Sequence, residues 1–169
     1  MTNNPFGNAT LDGEQTPFVG IGNHLLSCFD MFNKKTRNSG EVFYVEFTVS
    51  ESDAADHHEG QKRRVMFRIY DQKTDVREAA QRNLLRFFKE LSGLEKEDEI
   101  KTFGMKAMAN PDAVKDVLVH CKGTQATNRD GVALTSKRGD PITNYEWAHS
   151  IQQAGLEERN KSNERSVLL

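Results

Sequence analysis

The chain has 169 residues, enough for one domain with a hydrophobic core and additional terminal segments. Hydrophobic residues make up 36% and charged residues 28% of it, a balance typical of a globular protein and not of a disordered one. The 23 basic and 25 acidic side chains give a net charge of −2, which excludes binding to a polyanion through overall positive charge. Any anion-binding surface must therefore come from local clusters of basic residues.

The two cysteines, Cys28 and Cys121, lie in apolar, strand-like sequence without CxxC spacing. This context predicts buried free thiols in a reducing compartment. The first residues lack a secretory signal pattern, and no apolar run reaches the roughly 20 residues that cross a membrane. We therefore expect a protein of the cytoplasm that has no membrane partner.

The N-terminal part of the chain changes character near residue 18. Residues 1–17 are rich in Asn, Thr, Gly and Pro and are predicted to form a flexible arm. A first strand is predicted over about residues 22–33, and its imperfect alternation indicates a bulge. A basic turn follows it, with Lys34, Lys35 and Arg37.

The next two predicted strands, about residues 42–49 and 62–70, alternate between an apolar and a polar face. Successive side chains of a strand point to opposite sides, so the core-facing set is predicted to be Phe43, Val45, Phe47, Val49, Val65, Phe67 and Ile69. The opposite face would carry Tyr44, Arg64, Arg68 and Tyr70. Tyrosines and arginines on one solvent-facing surface are typical of a platform on which nucleic-acid bases stack.

A helical pattern follows the third strand. Asp75 and Glu78 have the spacing of a capping box, and Gly93 is placed to end the helix, so a helix is predicted over residues 75–92. A second helical pattern covers about residues 98–109, and Asn110-Pro111 predicts a further short helix.

Strand patterns return at about residues 117–122 and 142–149. Tyr145 and Trp147 share one face of the last strand. The loop before it, residues 128–141, carries Lys137 and Arg138. The domain is predicted to end near residue 150, and the charge-balanced residues 151–169 are predicted to form a flexible tail.

This element order, three strands, a helix and two more strands, is that of an OB-fold. The OB-fold is a mainly β, five-stranded Greek-key barrel, here with a helix between strands 3 and 4. Its strand 2–3 face and its loops 1–2 and 4–5 bind oligonucleotides. In this chain those loops would be residues 33–41 and 128–141, which carry the basic side chains. A different small α+β sheet would show the same alternation.

Over roughly residues 20–149 the chain resembles small phage-encoded single-stranded DNA-binding proteins of OB-fold type. The resembling segments are the basic turn 34–37 with the strand 45–52, Glu59-Gly60 before a basic strand, the helix end 87–94 and the closing segment 139–147. The resemblance implies sequence-tolerant binding of single-stranded DNA in viral replication or recombination, within a bacterial host's cytoplasm. It also implies replication or recombination proteins as partners and leaves a homo-oligomer open. Many replicative single-strand binders have an acidic tail, so the charge-balanced tail here departs from their pattern.

The predicted nucleic-acid site combines rings and cations. The stacking candidates are Tyr44, Tyr70, Tyr145 and Trp147. The phosphate-binding candidates are Lys34, Lys35, Arg37, Arg64, Arg68, Lys137 and Arg138. For each ring the alternative is packing beneath the rim of the barrel.

Other chemistry has less support in the sequence. The loop with Asp53, Asp56, His57, His58 and Glu59 lacks ordered metal-ligand spacing and is predicted to be a solvated acidic loop, without metal or other cofactor. No phosphate-binding loop, zinc-protease or nucleophile-elbow motif occurs, so we do not expect an enzyme. Two alternatives stay open. One is a protein-binding module, such as a phage inhibitor of a host nuclease or defence factor, whose acidic loops would imitate nucleic acid. The other is a metal-dependent enzyme built on the acidic loop.

Overall fold

The computed structural model describes residues 16–36, 40–136 and 139–150. Within these ranges the elements are β1 (Gly22–Thr36), β2 (Gly40–Ser52), β3 (Lys62–Phe67), α1 (Thr74–Ser92), α2 (Glu97–Ala109), a 3₁₀ helix (Pro111–Val114), β4 (Leu118–Gln125) and β5 (Thr143–His149). The predicted mainly β class is confirmed, and so is a helix between the third and fourth strands.

The strands form one antiparallel sheet in the order β3-β2-β1-β4-β5. The long strand β1 lies at the centre, while β3 and β5 are the two edges of an open sheet. The alternating apolar set on β2 and β3 is buried, which confirms the predicted core face.

Two register shifts occur between β1 and β2, and the second of them confirms the predicted bulge in the first strand. The first lies between Leu25 and Leu26, and the second between Cys28 and Asp30. At the second shift Cys28 pairs with Phe47 and Asp30 with Glu46, so Phe29 is the extra residue. Bulges bend a strand and increase its twist, so they help the sheet to curl.

The curled sheet packs around α1. Trp147 of β5 and Phe67 of β3 have ring centroids 6.3 Å apart, although their strands are opposite edges of the sheet. Phe87 of α1 lies under both rings, 6.1 Å from Phe67 and 4.8 Å from Trp147. This aromatic cluster therefore connects the two sheet edges to each other and to the helix.

The C-terminal end of α1 was predictable, but its first turn was not. Gly93 adopts φ 73° and donates its N–H to the Lys89 carbonyl, as the glycine cap predicts. The predicted capping box is wrong, because the helix begins at Thr74 and no described side chain caps it. Instead, the Asp71 carboxylate accepts a hydrogen bond from the Lys73 N–H just before the helix.

Strand β3 is shorter than predicted and has an unpredicted neighbour. It ends at Phe67, and Tyr70 lies in the turn that follows. Residues 17–19 pair with the free edge of β3. The Arg64 N–H donates to the Pro17 carbonyl and the Val19 N–H donates to the Arg64 carbonyl, both at 3.0 Å. We call residues 16–21 the edge segment. Its first two residues were assigned by sequence to the flexible arm.

Candidate nucleic-acid interface

The sheet surface that faces away from α1, across β1, β2 and β3, is the predicted ligand surface. On it Tyr44 pairs with Met66, Glu46 with Arg64 and Thr48 with Lys62. From β1, Phe32 lies opposite Tyr44, and Asp30 lies opposite Glu46. We call this surface the outer face; its members are Phe29, Asp30, Phe32, Tyr44, Glu46, Thr48, Lys62, Arg64 and Met66, with Phe18 of the edge segment above them.

Tyr44 lies on the outer face as predicted, but it is only 7% exposed. Phe18 stacks on it with ring centroids 6.5 Å apart, and Phe32 packs beside it at 5.6 Å. Tyr44 therefore supports other rings and does not itself present a free face. Phe18, which is 46% exposed, takes the accessible position.

Arg64 is held between rings and an acid. Its guanidinium carbon lies 5.1 Å from the centre of the Tyr44 ring and 5.5 Å from that of Phe32, close enough for cation–π attraction. One terminal nitrogen donates to Glu46 Oε2 at 3.1 Å, while the buried Nε has no hydrogen-bond partner in the described part of the chain. Arg64 thus lies on the predicted ligand surface, but Glu46 already balances its charge.

Phe29, the bulge residue, is flanked by two ammonium groups. Lys62 Nζ lies 3.4 Å from the centre of the ring, and Lys115 Nζ lies 5.5 Å from it. Lys62 also donates to Thr48 Oγ1, which fixes its position. A half-buried ring with two adjacent cations can stack on a base and hold a neighbouring phosphate.

Three further cationic candidates lie at one end of the sheet that carries the outer face. Asn33 pairs with Phe43, which pairs with Phe67, so the following residues Lys34, Lys35 and Arg68 are grouped at that end, and all three are exposed. Tyr70 is 44% exposed but lies in a turn and not on the strand face where it was predicted. Arg37, Lys137 and Arg138 lie outside the described residues.

Tyr145 and Trp147 face the core, in contrast to the predicted stacking role. Trp147 packs against the core rings described above, and its Nε1 donates to Asn83 Oδ1. The Tyr145 hydroxyl donates to the Val19 carbonyl, and burial raises the pKa of this tyrosine. Both rings match the alternative of packing beneath the rim, because the polar residues of β5 alternate with them on the solvent side.

The acidic loop between β2 and β3 is solvated as predicted at its exposed residues Asp53, Asp56, His58 and Glu59, but the buried His57 anchors it to the fold. His57 is 6% exposed and binds Asp56 Oδ1 through Nδ1, which lowers the pKa of that carboxyl. Asp53 accepts two hydrogen bonds from Asn23, and these lower the pKa of Asp53. In residues 16–36, 40–136 and 139–150, no three His, Cys, Asp or Glu side chains are grouped to hold a metal ion.

Five residues of this surface were missed by sequence reasoning, and two of them, Phe32 and Lys62, lie on strands that were predicted. Phe18 and Lys115 lie outside the strands that were considered, and Phe29 lies in the bulge, where alternation gives no face. The nearest signal was the expected irregularity of β1, which located the bulge without identifying its extra residue.

No protein-family model matches the chain, and no curated protein matches it. The resemblance to phage single-stranded DNA-binding proteins therefore stays a prediction. Among the described residues, no helix has both the length and the apolar character needed to cross a membrane.

Proposed function

We propose that the chain binds single-stranded DNA with little sequence preference, through its outer face, in phage DNA replication or recombination. The observation that carries this proposal is the grouping of three ring side chains with three cations on one sheet surface. The rings are Phe18, Phe29 and Phe32, and the cations are Lys62, Arg64 and Lys115. Replication or recombination proteins and a second copy of the chain are the partners that this function would involve.

The sheet order supports an OB-type barrel as the finer description of the fold. With β1 central and β3 and β5 at the edges, joining those two edges would complete a five-stranded barrel. The contact between Phe67 and Trp147 brings side chains of these edges together across the core. In an OB-fold the strand 2–3 face binds oligonucleotides, and the outer face lies on the equivalent strands here.

The chemistry of the outer face favours single strands over duplex. Stacking on a ring contributes about 1–3 kcal/mol per base, and it needs a base whose flat face is free. Lysine and arginine side chains contribute a sequence-independent attraction to phosphates that weakens with salt. The cationic end with Lys34, Lys35 and Arg68 would continue the phosphate path beyond the rings.

Fluorescence anisotropy with labelled oligo-dT and with a duplex of equal length tests the proposal across a range of salt concentrations. We expect affinity for oligo-dT in the micromolar range or tighter, weaker binding to the duplex, and a steep loss of affinity with salt. Absence of oligo-dT binding at low salt would refute the proposal and favour the protein-binding alternative. Degradation of the probe that depends on divalent ions would favour the enzyme.

Two pairs of variants separate stacking from phosphate contact. Phe29→Ala should weaken oligo-dT binding by about tenfold with little change in salt slope, whereas Phe103→Ala, which removes a half-buried ring on α2, should not. Arg68→Ala should make the salt slope shallower by about 0.7, whereas Arg82→Ala on the exposed side of α1 should leave it unchanged. Equal effects within either pair would show that the outer face is not the binding surface.

A further inference from the structure

The edge segment holds Phe18 in place on the outer face. Its backbone pairs with Arg64 of β3, and the Phe18 carbonyl accepts a hydrogen bond from Arg63 Nη1 at 2.8 Å. Its other side lies against β4, where a Cβ on Gly123 would come within 2.1 Å of the Gly20 carbonyl oxygen. The position of the Phe18 ring therefore depends on how firmly the next residues, Val19 and Gly20, are attached.

Two buried histidines attach Gly20 through both of its backbone polar groups. His57 Nε2 lies 2.9 Å from the Gly20 nitrogen, and His24 Nε2 lies 2.9 Å from the Gly20 carbonyl oxygen. The two imidazole rings stack on each other with centroids 4.5 Å apart. We call this arrangement the histidine clamp.

The hydrogen bonds define the protonation state of His57 and the donor atom of His24. Because Gly20 N–H is a donor, His57 Nε2 must be unprotonated, and the ring's hydrogen lies on Nδ1, which donates to Asp56 at 2.7 Å. Because the Gly20 carbonyl is an acceptor, His24 carries its hydrogen on Nε2, and its Nδ1 faces Ser52 Oγ at 2.7 Å. His57 is therefore neutral when the clamp is closed, and His24 is the donor to the Gly20 carbonyl through Nε2.

A proton added to the clamp conflicts with this geometry. Protonated His57 Nε2 would be a donor facing the Gly20 donor, and two charged rings stacked at 4.5 Å would repel each other. The neighbouring charges are mixed. Arg63 of β3 opposes protonation, whereas Asp53 and Asp56 of the acidic loop favour it, and the Tyr145 hydroxyl of β5 donates to the Val19 carbonyl of the edge segment. Burial is the largest cause that lowers the pKa of His24.

We infer that His24 and His57 are positioning residues for the ligand surface: while His57 is neutral, the two rings clamp Gly20 and hold Phe18 in the stacking position, and protonation of His57 releases the edge segment. The inference rests on the proposed function for its effect on DNA, but release of the segment can be measured without DNA. The sign of the DNA effect is diagnostic. Acidification normally strengthens binding to a polyanion because histidines gain charge, whereas an opened clamp removes a stacking ring and weakens it.

The experiment compares the full chain and two variants at about pH 7.5 and pH 5.5, values on either side of the ordinary histidine pKa. In the wild-type chain, oligo-dT affinity should fall by about tenfold at the lower pH, the loss of one stacking ring. In His57→Gln, whose amide oxygen can accept from Gly20 at either pH, this fall should disappear. In His58→Gln, which changes the exposed neighbouring histidine, the fall should remain.

Amide hydrogen exchange of the wild-type chain measures the clamp directly. After correction for the intrinsic pH dependence of exchange, residues 19 and 20 should lose protection at the lower pH, while the core of β2 keeps it. Unchanged protection there, or tighter oligo-dT binding by the wild-type chain at the lower pH, would overturn the inference. If oligo-dT does not bind at either pH but protection at residues 19 and 20 is lost, the clamp stands and the proposed function fails.

Discussion

Glu46 gives the sharpest test of how the outer face uses its charges. Its carboxylate lies 3.1 Å from the guanidinium of Arg64, and the side chains of the two residues are only 14% and 12% exposed. Glu46→Gln removes the negative charge while keeping an oxygen that can accept the same hydrogen bond. Arg64 would then lose its counter-charge at a site where its Nε already lacks a partner among the described residues.

The expected effects on stability and on binding have opposite signs. A hydrogen bond to a charged group contributes about 1.5–3 kcal/mol. Glu46→Gln keeps a bond from the charged Arg64 but removes the second charge, which moves the bond toward the lower end of this range, so the free energy of unfolding should fall by about 1 kcal/mol. A phosphate could now supply the missing charge. One additional phosphate contact makes the salt slope for a single strand steeper by about 0.7, so the loss of affinity between about 50 and 200 mM salt becomes about 2.5-fold larger.

The assay is oligo-dT anisotropy at several salt concentrations, together with urea denaturation of the same samples. Glu51→Gln is the matched control, because it removes one charge from an exposed position of the same strand, where Glu51 pairs with Leu25 and not with Arg64. Tighter binding and a steeper slope in Glu46→Gln alone would support a role of Arg64 in phosphate contact. Identical slopes in the two variants and the wild-type chain would refute this reasoning.

Three further predictions concern the fold. Phe87→Ala should lower the free energy of unfolding by about 3–5 kcal/mol, because the fully buried ring joins α1 to both sheet edges; an unchanged urea midpoint would contradict this. Burial raises the pKa of the Cys28 and Cys121 thiols, so iodoacetamide should label them only after denaturation. Labelling of the native chain, detected by mass spectrometry, would contradict the burial of the two thiols. Since the pKa of His24 is lowered in the fold, the unfolded chain binds the proton first as pH falls below about 6.5. The free energy of unfolding should therefore decrease from neutral pH toward about pH 5; a flat profile in urea denaturation would argue against it.

Local patterns in the sequence predicted most of the fold. Residues 75–92 were predicted as a helix and Thr74–Ser92 is one, because helical spacing and Gly93 are local signals. The core faces of β2 and β3 were predictable for the same reason. The end of β3 was not predictable, because Arg68, Ile69 and Tyr70 continue the apolar–polar alternation of the strand into a turn.

The candidate site was less predictable because its parts meet through distant contacts. Phe18 reaches Tyr44 only because the edge segment pairs with Arg64, and no periodic signal precedes that pairing. The burial of His57 under His24 is equally nonlocal. For Trp147 a local signal did exist, since Asn144 and Glu146 alternate with the ring positions and mark the other face as the solvent side.

The bulge in β1 links the shape of the sheet to the composition of the outer face. In a regular strand, residues three positions apart point to opposite sides, so Phe29 and Phe32 would not share a face. The extra residue changes this. Cys28 and Met31 are both buried in the core, while Phe29 meets Lys62 and Phe32 meets Tyr44 on the outer face. Because the same insertion increases the twist that brings β3 and β5 together, the curled core and the ring-bearing surface depend on one local irregularity.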